Sequence, residues 1–227
     1  AAWLPARLGS RWSKGDFAMS KRIAVLVSGG GTNLQALLDA QSRGELVGGE
    51  IVAVISNNPE AYALERAKQA AVPGYVLTRA QYPTARELTV ALVEKLQELD
   101  IQLVVMAGFM TIVTEELFQS YANAVINIHP SLIPSFCGEG CFGLHVHEKA
   151  LAYGVKVSGA TVHFVTQECD AGPIILQKAV EVLPDDTPEI LQRRIMEQCE
   201  WKLLPKAVSL FCQDKLVVEG RKVRILP

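Results

Sequence analysis

The sequence predicts an α/β domain built on a largely parallel sheet, and three observations carry that expectation. Short, continuously apolar, branched runs recur along the chain, as in strands covered on both faces. Segments with helical spacing of leucines separate them. No internal repeat or low-complexity linker breaks this alternation, so the 227 residues read as one domain.

Residues 23–27 (IAVLV) form the first expected strand, ending in Ser28-Gly29-Gly30-Gly31-Thr32. Residues 33–40 space Leu34, Leu37 and Leu38 on one helical face. A second strand is expected at 51–55 (IVAVI) and a second helix at 62–70. A longer helix follows at 84–99, then strands at 103–106 and 125–128. Such alternation implies right-handed crossovers. Later the character changes. Two strand-like runs, 158–165 and 174–182, are joined by a loop carrying Asp170, Gly172 and Pro173, so they should pair antiparallel and make the sheet mixed. Residues 188–213 read as one long helix, capped by Asp186-Thr187 and kinked or divided at Pro205. Residues 217–225, with Glu219-Gly220 at the centre, suggest a closing hairpin.

Composition excludes several classes of function. Lys and Arg number 22 against 24 Asp and Glu, a net charge of −2 that provides no field for a nucleic-acid backbone. At 49% hydrophobic residues the chain is not a disordered one. No apolar run approaches the ~20 residues that span a bilayer, so no membrane association is expected. Five cysteines cannot make a complete disulfide framework, and a reduced, cytoplasmic setting fits them. Residues 1–18 lack both an initiator Met and the apolar core of a signal peptide. They are expected to be an unordered leader or an addition foreign to the natural chain, with a short targeting segment as the alternative. The domain is then 19–227.

Four segments carry chemistry. The glycines at 29–31, between strand and helix, let a ligand approach backbone N–H groups and the positive helix end. A small phosphorylated metabolite suits them, although a tight turn that binds nothing remains the alternative. No Lys-Ser/Thr follows, so this is not a Walker loop, and Leu34 stands where a dinucleotide loop has its third glycine. A literal G-x-G-x-x-G at Gly138, Gly140 and Gly143 follows no strand and is expected to precede no helix, so it reads as a flexible surface loop. Cys137, Cys141, His145 and His147 around it leave a zinc knuckle open, in an unusual spacing. Asn127 and His129, two apart at a strand's carboxyl end, can face one side and donate to a developing oxyanion. A core histidine beside a turn-forming Asn is the plainer alternative. Asp170, before Gly-Pro, offers a fixed carboxylate that would raise a neighbouring imidazole's pKa, or merely an Asx turn. His163, inside an apolar strand, reads as structural.

Together, in this order, these segments resemble the folate-dependent phosphoribosylglycinamide formyltransferases of purine biosynthesis. The resemblance runs from Met19 to about Lys215 and rests on residues 23–40 (IAVLVSGGGTNLQALLDA), 106–113 (MAGFMTIV), 126–136 (INIHPSLIPSF) and 159–177 (GATVHFVTQECDAGPIILQ). It implies a single Rossmann-like domain with a phosphate-binding N-terminal half and a folate-binding C-terminal half. It implies transfer of the formyl group of 10-formyltetrahydrofolate to the substrate amine, with no metal and small-molecule partners only, by a monomer or weak homodimer. Asn127, His129 and Asp170 are then the catalytic set, with His129 protonated. Gly31, Thr32, Asn33 and Glu200 hold the phosphoribosyl part. Arg86, Met110, Thr111, Ile112, Val113, Asn127, Val165 and Asp170 match the folate side. Many relatives carry a basic residue at Thr111, and some a Lys near Glu197, for which Arg193 or Arg194 is the candidate substitute. The loop at 137–142 is placed to act as a lid. Hydrolysis of the formyl folate and a non-catalytic folate or nucleotide sensor are the other readings. Pro130, where the deformylases typically have another His, and the phosphate loop weigh against the first. The intact Asn127–His129–Asp170 set weighs against the second.

Overall fold

The computed structural model describes residues 20–227; the expected leader lies outside them. Strands β1 (Lys21–Val27), β2 (Gly49–Ser56), β3 (Gly74–Val76), β4 (Leu103–Met106) and β5 (Val125–His129) are joined in parallel pairs. Strands β6 (Val157–Phe164) and β7 (Ile174–Glu181) follow antiparallel. A hairpin of β8 (Leu216–Glu219) and β9 (Lys222–Ile225) adds to β7. The sheet order is β3-β2-β1-β4-β5-β6-β7-β9-β8. The chain leaves β1 toward one edge and returns through β4 toward the other. That reversal opens a crevice at the carboxyl ends of β1 and β4, the place where sheets of this kind bind ligands.

Alternation along β1 explains why both faces are covered. Ile23, Val25 and Val27 join one core with Leu34 and Leu37 of α1 (Thr32–Ser42), while Ala24 and Leu26 join a second with Leu92 and Leu96 of α3 (Ala85–Glu98). Helix α2 (Tyr62–Gln69) packs with the first core, and α4 (Glu115–Ser120) with the second. Thr84 and Glu87 close a capping box at the start of α3, a start legible in the sequence.

Two expectations need correction. The glycines at 138–143 do precede a helix, α5 (Leu144–Tyr153). Gly143 caps it with no side-chain hydrogen bond, so the usual Ser/Thr/Asp start signal is missing. The long C-terminal helix is divided one turn before Pro205: α6 (Pro188–Ile195) passes through a π turn, Met196–Glu200, into α7 (Trp201–Cys212). Pro205 has no N–H for the carbonyl of Trp201 four residues back, and the widened turn stands directly upstream of that carbonyl. The π turn carries Glu200 inward, to 6% exposure.

Candidate active site

The phosphate-type loop is built where expected, between β1 and α1. Gly31 adopts φ 72°, and a Cβ there would come within 2.6 Å of Ala63 on α2. Only glycine fits this approach. Gln35 N–H is the first amide of α1 to reach back, donating to the Gly31 carbonyl at 2.9 Å. The N–H groups of Thr32, Asn33 and Leu34 therefore have no partner within the helix.

Glu200 arrives from the π turn to meet this loop. Asn33 Nδ2 donates to Glu200 Oε2 at 2.6 Å, and the Asn33 Oδ1 atom is buried without a donor. Burial pushes the Glu200 carboxyl up to about 7, against the opposing Asn33 hydrogen bond. A pair of ligand hydroxyls here would give each of these side chains a donor. Gly31, Thr32, Asn33 and Glu200 are thus adjacent, as the sequence reading required.

Asn127 and His129 share the face of β5 that Val125 presents to the second core. The antiparallel register sets His163 of β6 opposite Asn127, and cross-strand partners share a face. Asn127 Nδ2 lies 3.2 Å from His163 Nε2. His163 Nδ1 lies 2.9 Å from the Phe164 carbonyl, which can only accept. Nδ1 therefore carries a proton, and where Nε2 accepts from Asn127 the amide keeps a second N–H to give.

Asp170 is brought to this pair by the loop after β6. Its Oδ1 is 3.6 Å from His163 Nε2 and its Oδ2 3.6 Å from His129 Nδ1. The Gly138 N–H donates to Oδ2 at 2.9 Å, so the glycine-rich loop is tied to the same carboxylate. Burial would raise the Asp170 carboxyl, but His163, His129 and the Gly138 amide outweigh it and hold it below its ordinary value. His163, read as structural in the sequence, is therefore a member of the cluster. The cross-strand register that places it there leaves no local sequence signal.

His129 has its charge set by opposing influences. It is 4% exposed, and burial lowers its pKa by more than Asp170 and the Phe136 carbonyl raise it. Its Nε2 lies 2.9 Å from the Phe136 carbonyl oxygen, so Nε2 carries the proton and Nδ1 faces Asp170.

Gly172 fixes the Asp170 loop. A Cβ at Gly172 would stand 1.7 Å from the Phe164 carbonyl oxygen. Gly172→Ala should destabilise the fold by about 1–3 kcal/mol, measured by urea unfolding, and lower turnover by displacing Asp170.

The loop between β4 and α4 is tied to the residue just before the glycines. The Met110 N–H donates to Ser28 Oγ at 2.7 Å, and Thr111 Oγ1 accepts from Asn57 Nδ2. Met110 and Ile112 are exposed, at 52% and 79%, an unusual condition for large apolar side chains on a site-facing loop. Val113 and Val165 pack on the second core. Arg86 is exposed, its Nε 2.6 Å from Glu116 Oε1. Neither expected substitute for a phosphate-neutralising Lys is free: Arg193 is paired with Glu197 at 2.8 Å and Arg194 with Asp186 at 2.5 Å.

Around the glycine-rich loop, His145 Nδ1 is 2.8 Å from Glu148 Oε2, while His147 is buried with neither ring nitrogen partnered. Among the described residues no group of three or more His, Cys, Asp or Glu is placed to hold a metal ion. Nor is any helix among them long and apolar enough to cross a membrane.

Residues 21–208 match the family described as Formyl transferase. The chain is 40% identical to the phosphoribosylglycinamide formyltransferase of Haemophilus influenzae over 196 residues, which is 86% of this chain and 89% of that protein. Glycinamide ribonucleotide transformylase 1 from Symbiobacterium toebii superposes with a TM-score of 0.87 at 46% identity, covering 92% of this chain and 95% of that one. A formyltetrahydrofolate deformylase from Pseudomonas syringae is similar at 30% identity and a TM-score of 0.79, but only 66% of that chain is covered. A fold, a glycine loop and a polar cluster of one kind thus meet a match over nearly the whole domain, and the chain belongs to the formyl transferase family, among its phosphoribosylglycinamide formyltransferases.

Proposed function

We propose that this protein transfers the formyl group of 10-formyltetrahydrofolate to the amine of 5-phosphoribosylglycinamide, giving the N-formyl ribonucleotide and tetrahydrofolate, a step of de novo purine biosynthesis. The observation that carries this reading is the coexistence, on one crevice, of an anion-type loop beside a buried carboxylate and a cluster of oxyanion donors and proton carriers. Support for the reaction class comes from the relatives named above.

In this mechanism the amine attacks the formyl carbon and a C–N bond forms. The carbonyl oxygen becomes an oxyanion, and the second N–H of Asn127 donates to it. The attacking nitrogen now carries a surplus proton. Once the ligand has taken the place of the Phe136 carbonyl, the His129 proton moves to Nδ1, beside Asp170, and Nε2 is free to accept the surplus proton. The resulting imidazolium is stabilised by the Asp170 carboxylate. His129 then passes the proton to the departing N10 of the folate, and the C–N10 bond breaks. The proton that leaves the amine is the one the folate receives, so no net proton is required. Gly31, Thr32 and Asn33 would hold the phosphate, Glu200 the ribose hydroxyls, and Met110–Val113 with Arg86 and Val165 the folate.

An absorbance assay of a 10-formyl folate analogue, with and without the ribonucleotide, tests the proposal. Turnover that depends on the ribonucleotide is expected. Turnover of equal rate without it would replace the transferase by a hydrolase.

Glu200 gives a pH-dependent prediction. Its pKa rises from 4.5 to about 7 on folding, so between these values the folded state holds a proton that the unfolded state has lost. Stability from this group is complete below pH 4.5, falls as pH rises, and is lost above about 7. Two and a half units correspond to about 3 kcal/mol. Glu200→Gln should therefore raise the melting temperature at pH 8 and leave it nearly unchanged at pH 4.5. The same substitution should raise KM for the ribonucleotide at pH 8, because an ionised carboxylate accepts two hydroxyls and an amide only one.

A further inference from the structure

A phosphate dianion in the glycine loop needs a counter-charge, and the arginines one would nominate are taken. Arg43 is paired with Glu45 at 2.8 Å, Arg193 with Glu197 and Arg194 with Asp186. Arg66 of α2 is different. Its Nε donates to the Gly30 carbonyl at 2.7 Å and its Nη1 to Gln35 Oε1 at 3.0 Å, both neutral acceptors. Among the described residues no carboxylate lies within ion-pair distance of it. The Asp39 carboxylate is reached only through Gln35, whose Nε2 donates to it at 2.8 Å. The guanidinium also lies 5.0 Å from the centre of the Tyr62 ring, which holds it in one place without neutralising it.

Its position orients the loop as well as charging it. The Ala63 N–H takes the Gly29 carbonyl at 3.1 Å, and Arg66 takes the next one. In a trans peptide the N–H points opposite to the carbonyl that precedes it. Drawing the Gly29 and Gly30 carbonyls toward α2 therefore turns the N–H groups of Gly30 and Gly31 away from α2. A cavity of about 390 Å³ opens beside Thr32, lined by Arg43, Arg66 and Lys202 and also by the carboxylates Asp39 and Glu197. Lys202 is exposed and adds charge there without a fixed geometry.

We propose that Arg66 is the phosphate-positioning residue of this chain: it supplies the fixed positive charge and holds the Gly30 carbonyl so that the loop amides face the phosphate. The proposal rests on the transferase reading for the identity of the ligand, and not for the existence of an anion site.

The experiment compares kcat/KM for the ribonucleotide with that for its dephosphorylated riboside, in the wild-type protein and in Arg66→Ala, Arg66→Lys and Lys202→Ala. Arg66→Ala should shrink the ratio between the two substrates by about 10- to 100-fold, chiefly through KM. Arg66→Lys should recover part of it, having the charge but not the planar brace. Lys202→Ala should change it by no more than about 3-fold, as fits a solvated, mobile charge. An unchanged ratio in Arg66→Ala, or an equal loss on both substrates, would overturn the proposal, the latter marking Arg66 as a purely structural brace. Calorimetric titration with ribose 5-phosphate separates this from failure of the transferase reading. If the wild type lacks turnover yet binds ribose 5-phosphate, and Arg66→Ala weakens that binding, the transferase reading fails and the anion site stands. Absence of binding by the wild type overturns the site itself.

Discussion

Replacing His129 by alanine is expected to lower kcat by about 10²- to 10⁴-fold, the range for a lost proton-transfer group. The size follows from its position. His129 is the only proton carrier in the cluster with one nitrogen on Asp170 and the other directed at a group that the ligand can displace. His163 cannot stand in, since its Nδ1 is committed to the Phe164 carbonyl and its Nε2 to Asn127. Truncation also leaves the Phe136 carbonyl without its donor, so melting should be followed in parallel; a folded variant with wild-type turnover would remove His129 from the mechanism. His129→Gln, which restores a donor to that carbonyl, should recover stability without recovering rate.

Asp170→Asn is expected to cost about 10²-fold in kcat, because an amide cannot stabilise the imidazolium that His129 becomes when it takes the amine proton. The substitution keeps an oxygen for the Gly138 N–H, so the loop should stay in place. Its pH signature distinguishes charge from packing. The Asp170 carboxyl is held below its ordinary 3.8 in the folded protein, so its contribution to stability is complete above 3.8 and is lost as pH falls through the lower, folded value. Acid unfolding of Asp170→Asn should therefore show a shallower dependence on pH in that range. A variant with wild-type kcat and a lowered melting temperature would reduce Asp170 to a structural role.

Much of the fold was legible because burial and strand sequence agree. The runs at 23–27 and 103–106 are apolar at every position and lie between two cores, and they became β1 and β4 with little or no change of boundary. The antiparallel pairing of β6 with β7 followed from the short link between them. The three-residue β3 has too little sequence to show a period. Helix α5 escaped because glycine starts it, and the division of the last long helix was placed at Pro205 when the widened turn lies upstream.

The candidate site divides along similar lines. Asn127 and His129 are neighbours on one strand, and Gly31, Thr32 and Asn33 are consecutive, so local sequence suffices to associate them. His163 joins through a cross-strand register and Arg66 through the packing of α2 on the glycine loop, and neither relation is local. For His129 the sequence shows the carboxylate that raises its pKa but not the burial that lowers it.

The most direct measurement supplies 10-formyltetrahydrofolate labelled with ¹³C in the formyl group and follows the label by mass spectrometry in the presence of the ribonucleotide. The account predicts that the label appears in the N-formyl ribonucleotide in step with tetrahydrofolate. Label recovered as free formate, with the ribonucleotide unmodified, would contradict it.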